Sequence, residues 1–529
     1  MRSVFAAVVA CALLVPGCRV EQENIHHWGQ TERGPYKLVA VIEHDKYSTP
    51  LRIEAAMTLT RMPPRQGVRK GISFLVDKYK DEDGENKEGA LAVVQGDARK
   101  AIVSGMVPQL IKEMGKPAPK RDEKTGRAEA DGTVPFKDMA FAILSHDPPL
   151  LADDKDKGEL VTALIQWANA GFEERVDNQS QQFGLEQMLR FLGSASVRQL
   201  PALINENAYR IDRIATLIAD IGDDDTKKRG SDALVALAKR VQTPEWVAAQ
   251  TKLVKEYNES QNKKGTDEQV GVQVGKIQER KLNEEIFPAM KRVGGRPAVD
   301  YLLGFASDPK NNDDRRKTAL AALESRLDKN SASDLDKVFA IARDDATTDA
   351  VRDVAFLRLG EFPKDQIVPR LYSLFEGKKW KVRYIAGNLV LKTQSTKGLA
   401  EFMRHLPATD KQKMGMGEAL LYGDLIGKME APSGEQKPRE AILPYLQARE
   451  LGPRLTAIGY FNNGKKADIP ILKPFEEDKA LLPHCEKEDA CDWRCEVASA
   501  TKGKENEIKE LATVGDLVKY CIVPNMTGN

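Results

Sequence analysis

The sequence predicts an all-α protein, an α-solenoid of stacked antiparallel helix pairs, and three observations predict it. The first is a returning pattern of arginine, a small residue three positions on, and an apolar residue four beyond that. It reads Arg52-x-x-Ala55-x-x-x-Leu59, Arg316-x-x-Ala319-x-x-x-Leu323, Arg352-x-x-Ala355-x-x-x-Leu359, Arg383-x-x-Ala386-x-x-x-Val390 and Arg454-x-x-Ala457-x-x-x-Phe461. A degenerate copy, Met414-x-x-Gly417-x-x-x-Leu421, fills the gap before the last, so that spacings from Arg316 onward are 36, 31, 31 and 40 residues. Periods of that size mark stacked helical hairpins. The second is apolar-Pro-x-apolar, as in Leu200-Pro201-Ala202-Leu203, Val368-Pro369-Arg370-Leu371 and Leu443-Pro444-Tyr445-Leu446. Proline fits a first helical turn, where its missing N–H has no partner to lose, so each copy is expected to open the first helix of a pair. The third is composition: 30% charged, 41% hydrophobic and only 6% aromatic residues suit amphipathic helices around a thin core.

The elements follow in chain order. Arg2 precedes an apolar run from Val4 to Leu14, which closes on Leu14-Val15-Pro16-Gly17-Cys18. A charged start and a short apolar run describe a secretory signal, too short to span as a mature membrane helix. With Gly17 before the cysteine, the segment resembles a bacterial lipoprotein signal, although Pro16 departs from the usual small residue. That resemblance implies removal of residues 1–17, acylation of Cys18 as the mature first residue, and a lipid-anchored protein of the cell envelope, facing the periplasm or the outside. Arg19 after the cysteine is not the aspartate that retains such proteins in the inner membrane, so the outer membrane is expected. An ordinary cleaved signal and an uncleaved anchor are the alternatives. Residues 18–34, with His26, His27 and Trp28, read as a polar tether.

The solenoid is expected over 35–480. Its first hairpin runs from Tyr36 through a turn at Asp45 to Pro50 and on through Leu51 to Met62. Residues 81–88 and 116–133 are charged loops, and 259–280 reads as a solvated helix or a linker. Further on, Leu335, Val338, Phe339 and Ala342 recur at i, i+3, i+4 and i+7, a helical stripe that its neighbour, with Val351, Val354, Ala355 and Leu359, can cover.

The alternation of a Pro-led helix with a Val-Arg-x-x-Ala-x-x-x-Leu helix resembles HEAT repeats, most clearly over 286–464, and the 31-residue spacings resemble their short bacterial relatives. The resemblance implies a superhelix of helix pairs that acts as a docking surface. It also implies that Arg52, Arg316, Arg352, Arg383 and Arg454 are scaffold residues holding repeats together. Short HEAT-like repeats also resemble the phycobilisome-lyase group, which attaches a bilin to cysteine; that enzyme reading is the rival.

Four cysteines crowd the expected cap at 481–529: Cys485, Cys491, Cys495 and Cys521. In an exported chain an even set implies two disulfides, with three possible connectivities. Zinc, with His484 as a spare ligand, is the competing reading, but the spacing lacks paired Cys-x2-Cys knuckles. The chain contains no phosphate-cradling Gly-x4-Gly-Lys-Ser/Thr loop, no His-Glu-x-x-His and no Gly-x-Ser-x-Gly elbow. Its 80 basic and 79 acidic residues create no overall field for nucleic acid. The expectation is therefore a non-enzymatic protein with no cofactor, a membrane-tethered scaffold that binds protein partners, or else a purely structural envelope protein.

Overall fold

A computed structural model of the chain describes residues 20–64, 69–119, 130–263, 265–375, 380–406, 414–483, 493–497 and 507–528. The signal region with Cys18 lies outside the described residues, as do Cys485 and Cys491. The described chain is helical almost throughout, with two short two-stranded sheets. Among the described residues no helix is long and apolar enough to cross a membrane. The chain divides into two compact units, Met1–Val247 and Ala248–Asn529.

In the first unit, Gly34–Glu43 and Thr49–Arg61 form the leading helix pair. Pro50 sits in the first turn of its helix rather than in the preceding loop, as the absent N–H permits. The faces that meet are apolar: Leu38, Val41 and Ile42 on one helix and Ala55, Ala56 and Leu59 on the other are buried. Residues 22–28, expected within the tether, instead form a helix, because Ile25 is fully buried against this pair. The long helix Gly96–Met114 packs along Thr49–Arg61, then on Val134–Ser145 and Asp154–Ala170. The segment 81–88 is part of an antiparallel hairpin, Lys78–Lys80 paired with Asn86–Glu88. Asp81 Oδ1 accepts from the backbone N–H of Asp83 (3.0 Å) and Glu85 (2.9 Å), and Gly84 adopts the positive φ (83°) that the turn needs.

The second unit stacks its pairs in sequence. Arg296–Ser307 with Asp313–Ala322 is followed by Ala332–Arg343 with Asp349–Leu359, then Lys364–Tyr372 with Trp380–Thr393. The second helices of successive pairs pack on one another through Asp313–Ala322, Asp349–Leu359, Trp380–Thr393, Met416–Gly427 and Leu451–Tyr460. Each presents an apolar stripe too wide to leave wet, and stacking buries it. The stretch 267–280, read as a solvated helix or a linker, is helix, opened by a capping box between Thr266 and Gln269.

Two of the prolines depart from the expected place. Pro108 and Pro369 lie inside helices rather than at their starts. Pro288 stands just after a turn widened to π geometry over Lys281–Ile286, one way a continuous helix absorbs a residue that cannot donate.

The carboxyl-terminal end carries the second hairpin, Arg494–Val497 paired with Glu507–Glu510, and closes on helical turns from Val514. Cys495 on the hairpin is bonded to Cys521 on the terminal turns, which fixes one of the expected disulfides. The bond closes a 26-residue separation and should stabilise the cap by roughly 3 kcal/mol through loss of unfolded-state entropy. The pair Cys495→Ala with Cys521→Ala should therefore shift denaturant unfolding of the second unit to lower concentration by that amount; an unchanged midpoint would show that the bond contributes nothing.

Candidate docking surface

The motif arginines explain how the pairs are built. In three of them the geometry repeats with one offset. Arg52 Nε donates to the carbonyl of Ile42 (2.7 Å), Arg316 Nε to Ala306 (2.8 Å), and Arg352 Nε to Ala342 (3.1 Å). Each acceptor is the penultimate residue of the first helix of the pair. The last carbonyls of a helix have no intrahelical donor and carry the negative end of its dipole, so a guanidinium from the second helix satisfies both needs. All three side chains are buried. The remaining guanidinium nitrogens tie the turn down: Arg352 Nη2 donates to the carbonyls of Asp344 (2.9 Å) and Thr347 (2.6 Å), and Nη1 faces Asp349 at 2.8 Å. Arg316 Nη2 reaches the hydroxyl of Thr347 (3.4 Å) in the following pair. Thr347 therefore touches two successive arginines.

Arg383 and Arg454 serve different partners. Arg383 faces the buried Glu418 at 3.1 Å, and Tyr422 donates to the Arg383 carbonyl at 2.9 Å. Burial pushes the Glu418 carboxyl up, while Arg383 beside it pulls the other way. Arg454 donates to Ala448 O (2.9 Å) and pairs with Asp478 (2.7 Å). In the degenerate copy, Met414 stands where the arginine would, and Glu418 supplies the polar contact instead.

Small residues set the approach of neighbouring helices. A Cβ on Gly423 would lie 2.2 Å from Tyr460 N, and one on Gly459 would lie 2.3 Å from Ala419 O, so two helices touch backbone to backbone.

A second buried network, in the first unit, had no signal in any motif. Lys137 and Asp138 are fully buried and paired at 2.6 Å. Arg69 faces Asp138 at 3.3 Å and donates to Ser180 O, and Lys137 also donates to Phe183 O. Asp138 in turn accepts from the backbone N–H of Gln182 (2.9 Å) and Phe183 (3.2 Å). Arg175 pairs with Asp131 at 2.7 Å and lies 4.1 Å from the ring centroid of Trp167, whose Nε1 donates to Thr133 (2.6 Å). Burial pulls the Lys137 ammonium below its ordinary value, and Asp138 opposes that. These charges bind the 180–183 segment to the helices; Lys137 is out of reach of a substrate in solvent. Adjacent Lys and Asp in an apolar helix, Val134-Pro-Phe-Lys-Asp-Met-Ala, were the available cue.

What remains open is the face between the second helices. A groove of about 440 Å³ lies between Asp349–Leu359 and Trp380–Thr393, lined mainly by Phe356, Leu357, Gly360, Ile385 and Leu389. Leu357 is 64% exposed on it. Asp353 and Lys392 stand at its edges, and the nearby Lys381 is already paired with Asp349 at 2.6 Å. The arginine of this repeat points the other way, into the pair. The hairpin at 78–88, with Tyr36 and Glu43, lines a separate cleft of about 660 Å³ in the first unit. Among the described residues no three His, Cys, Asp or Glu side chains converge as metal ligands.

No family model matches the chain, and no curated protein matches it. Among solved structures, a mutant of Kap121p aligns over 85% of this chain and 50% of its own, at 10% identity and a TM-score of 0.28. An engineered protein aligns over 87% and 92%, at 13% identity and a TM-score of 0.16. The chain thus spans half the length of the Kap121p chain, and likenesses this low carry no argument about function.

The arginine geometry makes a direct prediction. Arg352→Met keeps the aliphatic stem but leaves two buried carbonyls, of Ala342 and Thr347, and the half-buried one of Asp344 without their donor, which should destabilise the second unit by about 3 kcal/mol. Arg352→Lys should recover only part of this, since an ammonium cannot reproduce the planar fork. Equal stability of wild type and both variants in thermal or urea unfolding would remove the arginine from its structural role.

Proposed function

We propose that this protein is a non-catalytic docking scaffold of a bacterial cell envelope, held to the membrane by an acylated Cys18. It would bind a partner protein through the open face of its second unit. The observation that carries the reading is the apolar groove at Leu357, Ile385 and Leu389. An exposed leucine in a groove between rigid helices is what an apolar anchor on a partner needs. The two walls pack on each other and Lys381 on one pairs with Asp349 on the other at 2.6 Å, so the groove is preformed and little ordering is needed on binding. The repeats, the signal resemblance and the absence of catalytic motifs in the sequence support the same reading.

Two experiments test it. Partner capture from detergent-solubilised envelope should yield a specific protein with wild type and lose at least tenfold with Leu357→Asp, while a surface change elsewhere, such as Lys252→Ala, has no effect. Recovery of the same partner by Leu357→Asp would move the docking surface off this groove. Separately, Cys18→Ser should transfer the protein from the membrane to the soluble fraction, and persistence in the membrane would refute lipid anchoring.

A further inference from the structure

The helix Gln22–Trp28 is fastened to the first pair by Ile25. Its other side is polar, and it faces polar residues too. Gln22 and His26 are four apart on this helix; Glu54, Thr58 and Arg61 recur at i, i+4 and i+7 on Thr49–Arg61. Between the two stripes lies a cavity of about 570 Å³, with Gln30 at one side and Met62 and Pro63 on its rim. Close approach is set at one end by Gly29, where a Cβ would lie 2.6 Å from Thr58 Cγ2. Two amphipathic helices usually turn apolar faces to each other; here polar ones line a void.

The charges in the cavity are arranged to cancel. Glu54 Oε1 lies 2.9 Å from His26 Nε2 and accepts from Arg61 Nη1 at 2.9 Å. This fixes both donors, balances the guanidinium, and leaves the second carboxylate oxygen of Glu54 for a further donor. Thr58 is only 7% exposed, and its hydroxyl has no hydrogen-bond partner among the described residues. That hydroxyl is closed off from the cavity and its methyl faces Gly29, so the acceptor a ligand can reach is the second carboxylate oxygen of Glu54. The lining therefore offers donors and acceptors in both senses, carries no net charge once Glu54 and Arg61 are paired, and has one apolar edge.

We propose that this cavity binds a neutral sugar residue. A sugar ring presents hydroxyls that both donate and accept, which matches the amides of Gln22 and Gln30 with His26, Glu54 and Arg61. Its C–H face matches Met62 and Pro63. A neutral ligand fits because an anion would meet Glu54 and a cation would meet Arg61. The volume admits one or two rings. This site lies in the first unit and is independent of the groove proposed for protein docking.

The test uses the full chain without its signal and two probes, N-acetylglucosamine and glucose, followed by saturation-transfer NMR and titration calorimetry. At least one probe should show saturable binding in the millimolar range or tighter. Gln22→Ala and Glu54→Gln should each weaken it at least tenfold, while both variants keep the wild-type circular dichroism spectrum. Leu357→Asp should leave sugar binding unchanged. Absence of transfer to either sugar at 20-fold excess over the protein, or binding undiminished in both variants, would overturn the proposal. So would inorganic phosphate binding at the same residues in place of sugar, which would make the cavity an anion site.

Discussion

The bond from a second-helix arginine to the last turn of the first helix is the constraint on which the pairs depend. A helix that ends inside a protein leaves carbonyls that water cannot reach, and a pair of antiparallel helices has such an end beside the start of its partner. Placing arginine in the first turn of the second helix resolves this with a buried cation that would otherwise be costly to desolvate. The two problems cancel. Carbonyl oxygens and an aspartate in that same turn take the other donors, so the turn, the helix end and the neighbouring pair share one side chain. In the second unit the stacking of apolar stripes then supplies the bulk of the core, and the small residues determine how closely the backbones meet.

Much of this was legible in the sequence. The period, the identity of the arginines and the helix class could be read because they rest on repetition, and repetition survives without knowledge of tertiary contacts. The tether was not read correctly: a single buried isoleucine converts 22–28 into a docked helix, and no periodicity announces one residue. The hairpin at 78–88 was also missed, since its strands are three residues each and entirely polar but for Tyr79. Proline was over-read. In Pro369 and Pro108 the helix tolerates an interior proline because packing against neighbours outweighs one lost backbone bond, which a local rule cannot anticipate.

The site was less legible than the fold. A groove is a relation between helices 30 residues apart, so Leu357 and Leu389 carry no joint signature along the chain. The polar cavity is a similar case: Gln22, His26, Glu54, Thr58 and Arg61 each look like ordinary surface residues, and only the docking of one short helix places them face to face. The buried Lys137–Asp138 network likewise depends on a segment more than forty residues away. Where repetition fails, as in the first unit beyond the leading pair, sequence reasoning loses its main instrument.

One feature of the arginine pairs bears on how such a chain can change length. In all three pairs with the shared geometry, five residues separate the two helices: 44–48, 308–312 and 344–348. The side chain spans from the fourth residue of one helix back to the penultimate residue of the other, a ruler ten residues long. Adding or deleting one residue within that turn would move the guanidinium off its acceptor. In these three pairs insertions are therefore confined to the joints between pairs, whereas the pairs of Arg383 and Arg454, whose arginines take other partners, have seven (373–379) and three (448–450) residues between their helices. The protein can grow new surface at those joints while each of the three pairs keeps its fixed internal gauge.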